Sequence, residues 1–224
     1  MLTFERHSGN ETDRAELAPE MLVVAGWTGR DEKALHHHIE ELAAIGVPRP
    51  SSVPVFYRIS TANLMQTANL QVLGADTSGE AEPVVVAMVD GLWLGIGSDH
   101  TDRKAETMGI ALSKQLCAKV VGKSLWRLED VASHWDQLIL RAYVTIDDKR
   151  LKYQEGPLSA MRDPADLMSR AGAKFETGTI MFCGTLGAIG GIRPASQFTA
   201  LLEDPVLGRE MMCEYDIDIL PVVR

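Results

Sequence analysis

Three carboxylates near the middle of the chain have the spacing of a cation site. Glu80 and Glu82 are two residues apart, and in an extended segment that spacing turns both side chains to one side, where they can converge on one ion. Asp99 follows two β-rich runs, residues 84–89 and 92–96, which flank Asp90-Gly91. That dipeptide favours a type I′ turn because both central residues must accept positive φ, so a hairpin brings the chain back toward Glu82 with Asp99 just beyond its second strand. Three carboxylates with positions left for water and substrate suit a hard cation such as Mg²⁺ or Mn²⁺ better than zinc, which prefers nitrogen and sulfur. The same acids would also serve simply to solvate a strand entrance.

His36, His37 and His38 lie in a predicted helix over residues 31–45, where successive side chains point about 100° apart, so the three cannot share one site. His38 and Glu41, at i and i+3, are neighbours on one face, which would let the carboxylate orient the imidazole as a base. His37 and Glu40 have the same spacing, and either pair could equally be a surface contact. Residues 178–185 run a buried strand into a glycine loop, where Thr185 and nearby amides could meet a ligand carboxylate, although a structural turn would look the same. There is no Walker motif and no Rossmann fingerprint.

The elements that must hold these residues read as α+β with a mostly β core. Residues 21–25 form a short buried strand, 55–59 another, and 61–66 a short helical turn. A second hairpin pairs 138–146 with 150–154 across Asp147-Asp148-Lys149, and a further strand covers 179–183. Helical stretches fall at 104–116 and 164–171.

A chain of 224 residues fits a single domain, 1–224, with residues 1–20 as an N-terminal extension. A net charge of −9 leaves no basic surplus for a phosphate backbone, which argues against nucleic acid. The longest apolar runs are too short to span a bilayer and the N-terminus has no signal-peptide pattern, so a cytoplasmic address is expected. Cys117, Cys183 and Cys213 form no CxxC pair, which suits a reducing compartment. Each reads as a small core residue before it reads as a nucleophile.

Taken in order, the pieces resemble the fumarylacetoacetate hydrolase superfamily over residues 23–208, especially its acylpyruvate hydrolase and oxaloacetate decarboxylase members. Gly29-Arg30 followed by His38-Ile39-Glu40-Glu41 is similar to the family's Gly-Arg-Asn-Tyr and His-x-x-Glu segment. Val55-Phe56-Tyr57-Arg58 resembles Leu-Phe-Leu-Lys, and Glu80-Ala81-Glu82 with Gly97-Ser98-Asp99 resembles Glu-x-Glu with Gly-Asn-Asp. Gly122-Lys123-Ser124 resembles Gly-Lys-Ser, with Lys119 a close competitor, and residues 178–190 match the glycine signature, with Leu186 in place of its proline. The family's Ser-Ala-Arg-Asp becomes His100-Thr101-Asp102-Arg103, and the interval from Glu82 to Asp99 is a bare hairpin where the family usually inserts a helix, which points to an outlying branch.

The resemblance implies a mixed β-sheet roll with flanking helices, usually homodimeric. It implies Mg²⁺ (or Mn²⁺) on Glu80, Glu82 and Asp99, a His38–Glu41 dyad on a mobile lid that activates water, and Lys123 or Lys119 reaching the substrate. Arg58, Thr185, Arg103 and His100 would line the substrate, a 2-oxo or diketo acid whose C–C bond is hydrolysed. Decarboxylation, dehydration or isomerisation would need the same site. A non-catalytic binding protein that kept the fold is the alternative from another class, and a cysteine hydrolase using Cys117 or Cys183 is a third.

Overall fold

The computed structural model describes residues 1–44, 49–172 and 174–223, with the side chains of residues 38 and 41–43 outside the description. The chain opens with a hairpin of β1 (Leu2–Ser8) and β2 (Glu11–Leu17), then β3 (Met21–Gly26) and helix α1 (Glu32–Ala44). Strand β4 (Val55–Ile59) leads through a 3-10 turn to β5 (Leu64–Met65), β6 (Asn69–Leu73) and β7 (Thr77–Ser78). The central hairpin is β8 (Ala81–Met88) and β9 (Gly91–Asp99), continued by β10 (Thr101–Asp102), α2 (Arg103–Glu106) and α3 (Ile110–Leu116). Then come β11 (Lys119–Val121), β12 (Ser124–Arg127), α4 (Leu128–Ala132), β13 (Ile139–Ile146) and β14 (Lys149–Pro157). The chain ends with α5 (Pro164–Arg170), β15 (Thr179–Phe182), β16 (Gln197–Asp204) and β17 (Arg209–Leu220).

The larger sheet runs β2-β1-β12-β9-β8-β15-β3-β4, with β11 also on β9 and β5 on β11. A second sheet runs β14-β13-β16-β17-β6. Every residue of β8 is buried, because both of its faces are covered, which is why its sequence is a continuous apolar run rather than an alternation. On one face, Leu94 and Ile96 meet Leu140, Phe198 and Tyr215 of the second sheet. On the other, Phe4, Leu22, Val84, Val121, Leu125 and Phe182, all from the larger sheet, pack on one another. One face of one sheet can do this only by curling on itself, so the sheet is a roll, and the architecture is the expected α+β.

Within the first twenty residues, β1 and β2 join the larger sheet. β1 pairs in parallel with β12, Glu5 opposite Ser124, and Phe4 is fully buried. The helix expected over 104–116 is interrupted, with Gly109 as the N-cap of α3, and this break lets α3 present Ser113 and Lys114 to the interior. The 61–66 turn is shorter than expected, three residues of 3-10 helix before β5. In the β13–β14 hairpin, Asp147 and Asp148 adopt φ of 50° and 60°, the left-handed pair a two-residue turn requires.

Candidate metal centre

Glu80, Glu82 and Asp99 offer carboxylate oxygens that all lie within 4.8 Å of one another. The β8–β9 register explains this: Ala81 is opposite Ser98 and Glu82 opposite Gly97, so Asp99 reaches the start of β8, where its amide donates to the Glu80 carbonyl at 3.0 Å. Side chains alternate along each strand, and Glu82 and Asp99 fall on the inner face of the roll that carries Val84 and Phe182. Gly97, opposite Glu82, lets β11 and the Phe182 ring close against β9, since a Cβ there would lie 2.7 Å from the Val120 carbonyl oxygen and 2.8 Å from the Phe182 ring.

Three cations of the chain's own close on the acids. Lys119 on β11 is opposite Asp99 and places Nζ 2.9 Å from Oδ1; it also donates to the His100 carbonyl at 2.6 Å. Lys114 on α3 donates to Asp99 Oδ2 and lies 3.7 Å from Glu80 Oε2, with Nζ 5.9 Å from the Tyr57 ring centre. Arg103 puts Nη2 3.0 Å from Glu80 Oε1, while its Nε donates to Ser78 at 2.7 Å. The Gly184 amide donates to Glu82 Oε2 at 2.7 Å.

These contacts set opposite charge preferences. Burial disfavours the ionised form of Asp99, but Lys114 and Lys119 outweigh it and hold the carboxyl down at about 2. Burial and the neighbouring charge of Asp99 push Glu82 well above the usual range, with Lys114 and the Gly184 amide pulling only partly against them. Two features fit a hard cation. The ligand set is all oxygen, and among the described residues Asp99 Oδ1 is buried with the Lys119 ammonium beside it and no hydrogen bond of its own. Glu80, Glu82 and Asp99 would hold such an ion, with the Lys114 ammonium, which contacts Asp99 and Glu80, beside it.

The other residues singled out in the sequence are distributed unevenly around this cluster. Lys123 is exposed and sits four residues along from Lys119, about 13 Å of extended chain, with its carbonyl accepting the Glu5 amide; the lysines at the acids are Lys119 and Lys114. His100 faces the opposite way from Asp99, into the layer between the sheets, where Nδ1 meets Tyr215 Oη and Nε2 meets Thr77 Oγ1, each at 2.9 Å. Burial, reinforced by Lys119 and Arg103, lowers His100 to about 3, which keeps the imidazole neutral with both nitrogens engaged by Tyr215 and Thr77. Arg58 is exposed on the face of β4 opposite Tyr57, and Tyr57 is the β4 residue beside Lys114. Thr185 is beside Glu82, but its hydroxyl donates to the Ala81 carbonyl at 2.8 Å and accepts from Gln154 at 2.7 Å, so it has no proton left to offer a carboxylate.

Helix α1 carries the expected dyad, and the side chains of His38 and Glu41 lie outside the described residues. The helix start is anchored by Asp31, which accepts the Lys33 and Ala34 amides, and by Arg162, which bridges Glu32 at 2.8 Å and Asp166 at 2.9 Å. All three cysteines are buried and free, and burial pushes Cys117 up to about 11 and Cys213 to about 12, which argues against a thiolate nucleophile. Lys114 went unnoticed in the sequence. A lysine in a short amphipathic helix normally reads as a solvated face, and only the break at Gly109 turns it inward.

No curated protein matches the chain by sequence. Among solved structures, a yeast fumarylacetoacetate hydrolase family protein superposes with a TM-score of 0.64 at 14% identity, over 92% of this chain and 95% of that one. A protein from Yersinia pestis CO92 described as belonging to the same family gives 0.62 at 16%, covering 91% and 95%. A 2-keto-3-deoxy-D-arabinonate dehydratase in its apo form gives 0.63 at 13%, covering 90% and 74%. The chain therefore has the fold of fumarylacetoacetate hydrolase family proteins. A family model described as "Protein of unknown function (DUF2848)" matches residues 25–215, most of the chain, and the protein belongs to that family.

Proposed function

We propose that the protein is a metal-dependent enzyme of 2-oxo acids that hydrolyses a C–C bond in an acylpyruvate-like substrate. The observation that carries this reading is the convergence of Glu80, Glu82 and Asp99 at the end of the central hairpin, inside a fold shared with a 2-keto-3-deoxy-D-arabinonate dehydratase. The three carboxylates would hold Mg²⁺ or Mn²⁺, which supplies Lewis-acid polarisation of a chelated carbonyl when bound. Lys119 fixes the rotamer of Asp99, and Arg103 does the same for Glu80. Lys114 holds an ammonium against Asp99 and Glu80, where it would offset negative charge developing on a substrate at the cluster. Thr185 and Gln154 tie the glycine loop to β8 and so hold the Gly184 amide on Glu82. His38, oriented by Glu41, would take the proton from water.

A second reaction on the same residues is favoured by one comparison: the dehydratase neighbour shares the fold, and dehydration or decarboxylation of a 2-oxo acid draws on the same polarised carbonyl. A homodimer and a cytoplasmic address belong to the proposal, and no described helix is long and apolar enough to cross a membrane.

Calorimetric titration of Mn²⁺ into wild type and Glu82→Ala, together with acylpyruvate turnover followed by loss of the diketo absorbance, tests the reading. Saturable Mn²⁺ binding lost in the variant, with metal-dependent turnover, supports it. Absence of divalent binding sinks it, and metal-dependent release of water or carbon dioxide from a 2-oxo acid selects the second reaction.

A further inference from the structure

We propose that Tyr215 is a positioning residue for the metal centre: its phenol bridges the two residues that flank Asp99 and so fixes the stretch of chain that presents this carboxylate. This rests on the reading of the metal centre given above. Side chains alternate along β9 and just beyond it, so Asp99 faces the inside of the roll while Ser98 and His100, one on each side of it, face the layer between the sheets. Tyr215 reaches both of them from β17 of the second sheet. Its hydroxyl donates to Ser98 Oγ at 2.8 Å and lies 2.9 Å from His100 Nδ1. His100 continues the chain through Nε2 to Thr77 Oγ1 at 2.9 Å.

The members of this chain sit beside the groups that hold the acids. The His100 carbonyl accepts from Lys119 Nζ, which also lies 2.9 Å from Asp99 Oδ1. Thr77 is followed by Ser78, whose hydroxyl accepts from Arg103 Nε at 2.7 Å, and Arg103 pairs with Glu80 at 3.0 Å. A single phenol, more than a hundred residues along the chain from Asp99, is thereby connected to the holders of two of the three acids. Thr77, Ser98, His100 and Tyr215 are all buried, beside an otherwise apolar layer that includes Leu94, Ile96 and Phe198. Apolar groups of the same shape would fill that layer at little cost in stability, since a buried hydrogen bond has a small net worth and only an unpaired partner is expensive. Directional bonds add what apolar packing lacks. They fix the orientation of the residues on both sides of Asp99, and a ligating carboxylate needs that orientation held closely.

The test is calorimetric titration of Mn²⁺ into variants whose urea unfolding curves show them fully folded under the titration conditions. Tyr215→Phe removes the hydroxyl and keeps the ring, which lies 5.8 Å from Phe198 and edge-on to His100 at 5.8 Å. It should bind Mn²⁺ about tenfold more weakly than wild type. Tyr153→Phe takes a phenol hydroxyl from another buried position of the same layer, outside the chain, and should bind Mn²⁺ like wild type. Thr77→Val removes the hydroxyl at the far end while nearly keeping the side chain's shape, so it tests the chain even if Tyr215→Phe fails to fold. It should weaken Mn²⁺ binding severalfold, and Thr77→Ser, which retains the hydroxyl, should restore it. A folded Tyr215→Phe that loses stability alone and binds Mn²⁺ like wild type, or equal weakening in Tyr153→Phe, makes Tyr215 a packing residue and overturns the assignment. With Tyr215→Phe unfolded, a Thr77→Val that binds as tightly as wild type overturns it too. A wild type that binds no Mn²⁺ overturns the metal-centre reading and this one with it.

Discussion

Lys119 and Asp99 face each other across β11 and β9 with Nζ 2.9 Å from Oδ1, and neither side chain has any exposed surface. Removing one partner of such a pair leaves a buried charge uncompensated, a loss of about 3–5 kcal/mol. Lys119→Met should therefore lower unfolding stability by that amount in a urea titration at neutral pH. A loss below about 1 kcal/mol, the range of an exposed pair, would mean that Asp99 does not depend on Lys119.

Lys114 and Lys123 separate two ideas about which lysine serves the reaction. Lys114 touches Asp99 and lies near Glu80, whereas Lys123 is exposed at the β11–β12 connection. Lys114→Met should lower kcat by about a hundredfold, on the order of 3 kcal/mol of lost charge stabilisation, and Lys123→Met should change it less than twofold. The reverse ranking in steady-state assays would show that the resemblance of Gly122-Lys123-Ser124 to the family's segment identifies the working lysine and that the buried geometry does not.

The central hairpin and its three acids were legible in the sequence because the information is local. Asp90-Gly91 specifies the turn, period two aligns Glu80 with Glu82, and hairpin return supplies Asp99. The same period also sends His100 away from Asp99, a signal available beforehand and outweighed by nearness in sequence. Other features were not local. β2 exposes most of its side chains, yet it is a strand because it pairs with β1, which is itself held in parallel against β12, more than a hundred residues away. Lys114 and Tyr57 meet across a helix and a strand that no spacing rule connects.

Asp204 supplies a pH dependence far in sequence from the metal residues. Its side chain is buried; Oδ1 accepts the Val206 and Leu207 amides at 3.1 Å and His134 Nε2 at 3.0 Å, while Oδ2 accepts Arg209 Nε at 3.2 Å. Burial works against the charged form, but the Leu207 amide, His134 and Arg209 outweigh it and lower the pKa. A carboxylate with a lowered folded-state pKa gives stability that is complete above the unfolded value of about 3.9 and is lost as pH falls through the folded value. Wild type should lose more stability between pH 5 and pH 3 than Asp204→Asn, which has no such proton to take up. Parallel pH curves for the two proteins in urea would remove Asp204 from the account.

Gly184 joins the glycine loop to the metal centre in a way no other residue can. It has a φ of 94°, and a Cβ at this position would lie 1.9 Å from Thr28 Oγ1. Either feature alone penalises alanine, the φ by about 1–2 kcal/mol, and the collision forces Thr28 or the loop to shift. The loop cannot move without withdrawing the 2.7 Å amide bond from Glu82, whose carboxyl burial pushes well above the usual range. Gly184→Ala should therefore lose Mn²⁺ affinity by at least tenfold as well as stability. Gly187→Ala, at a position where an added Cβ meets nothing within 4 Å, should lose neither. Urea titration of both variants separates the two effects, because a folded Gly184→Ala that binds Mn²⁺ like wild type would show that the amide does not hold Glu82 in its ligating position.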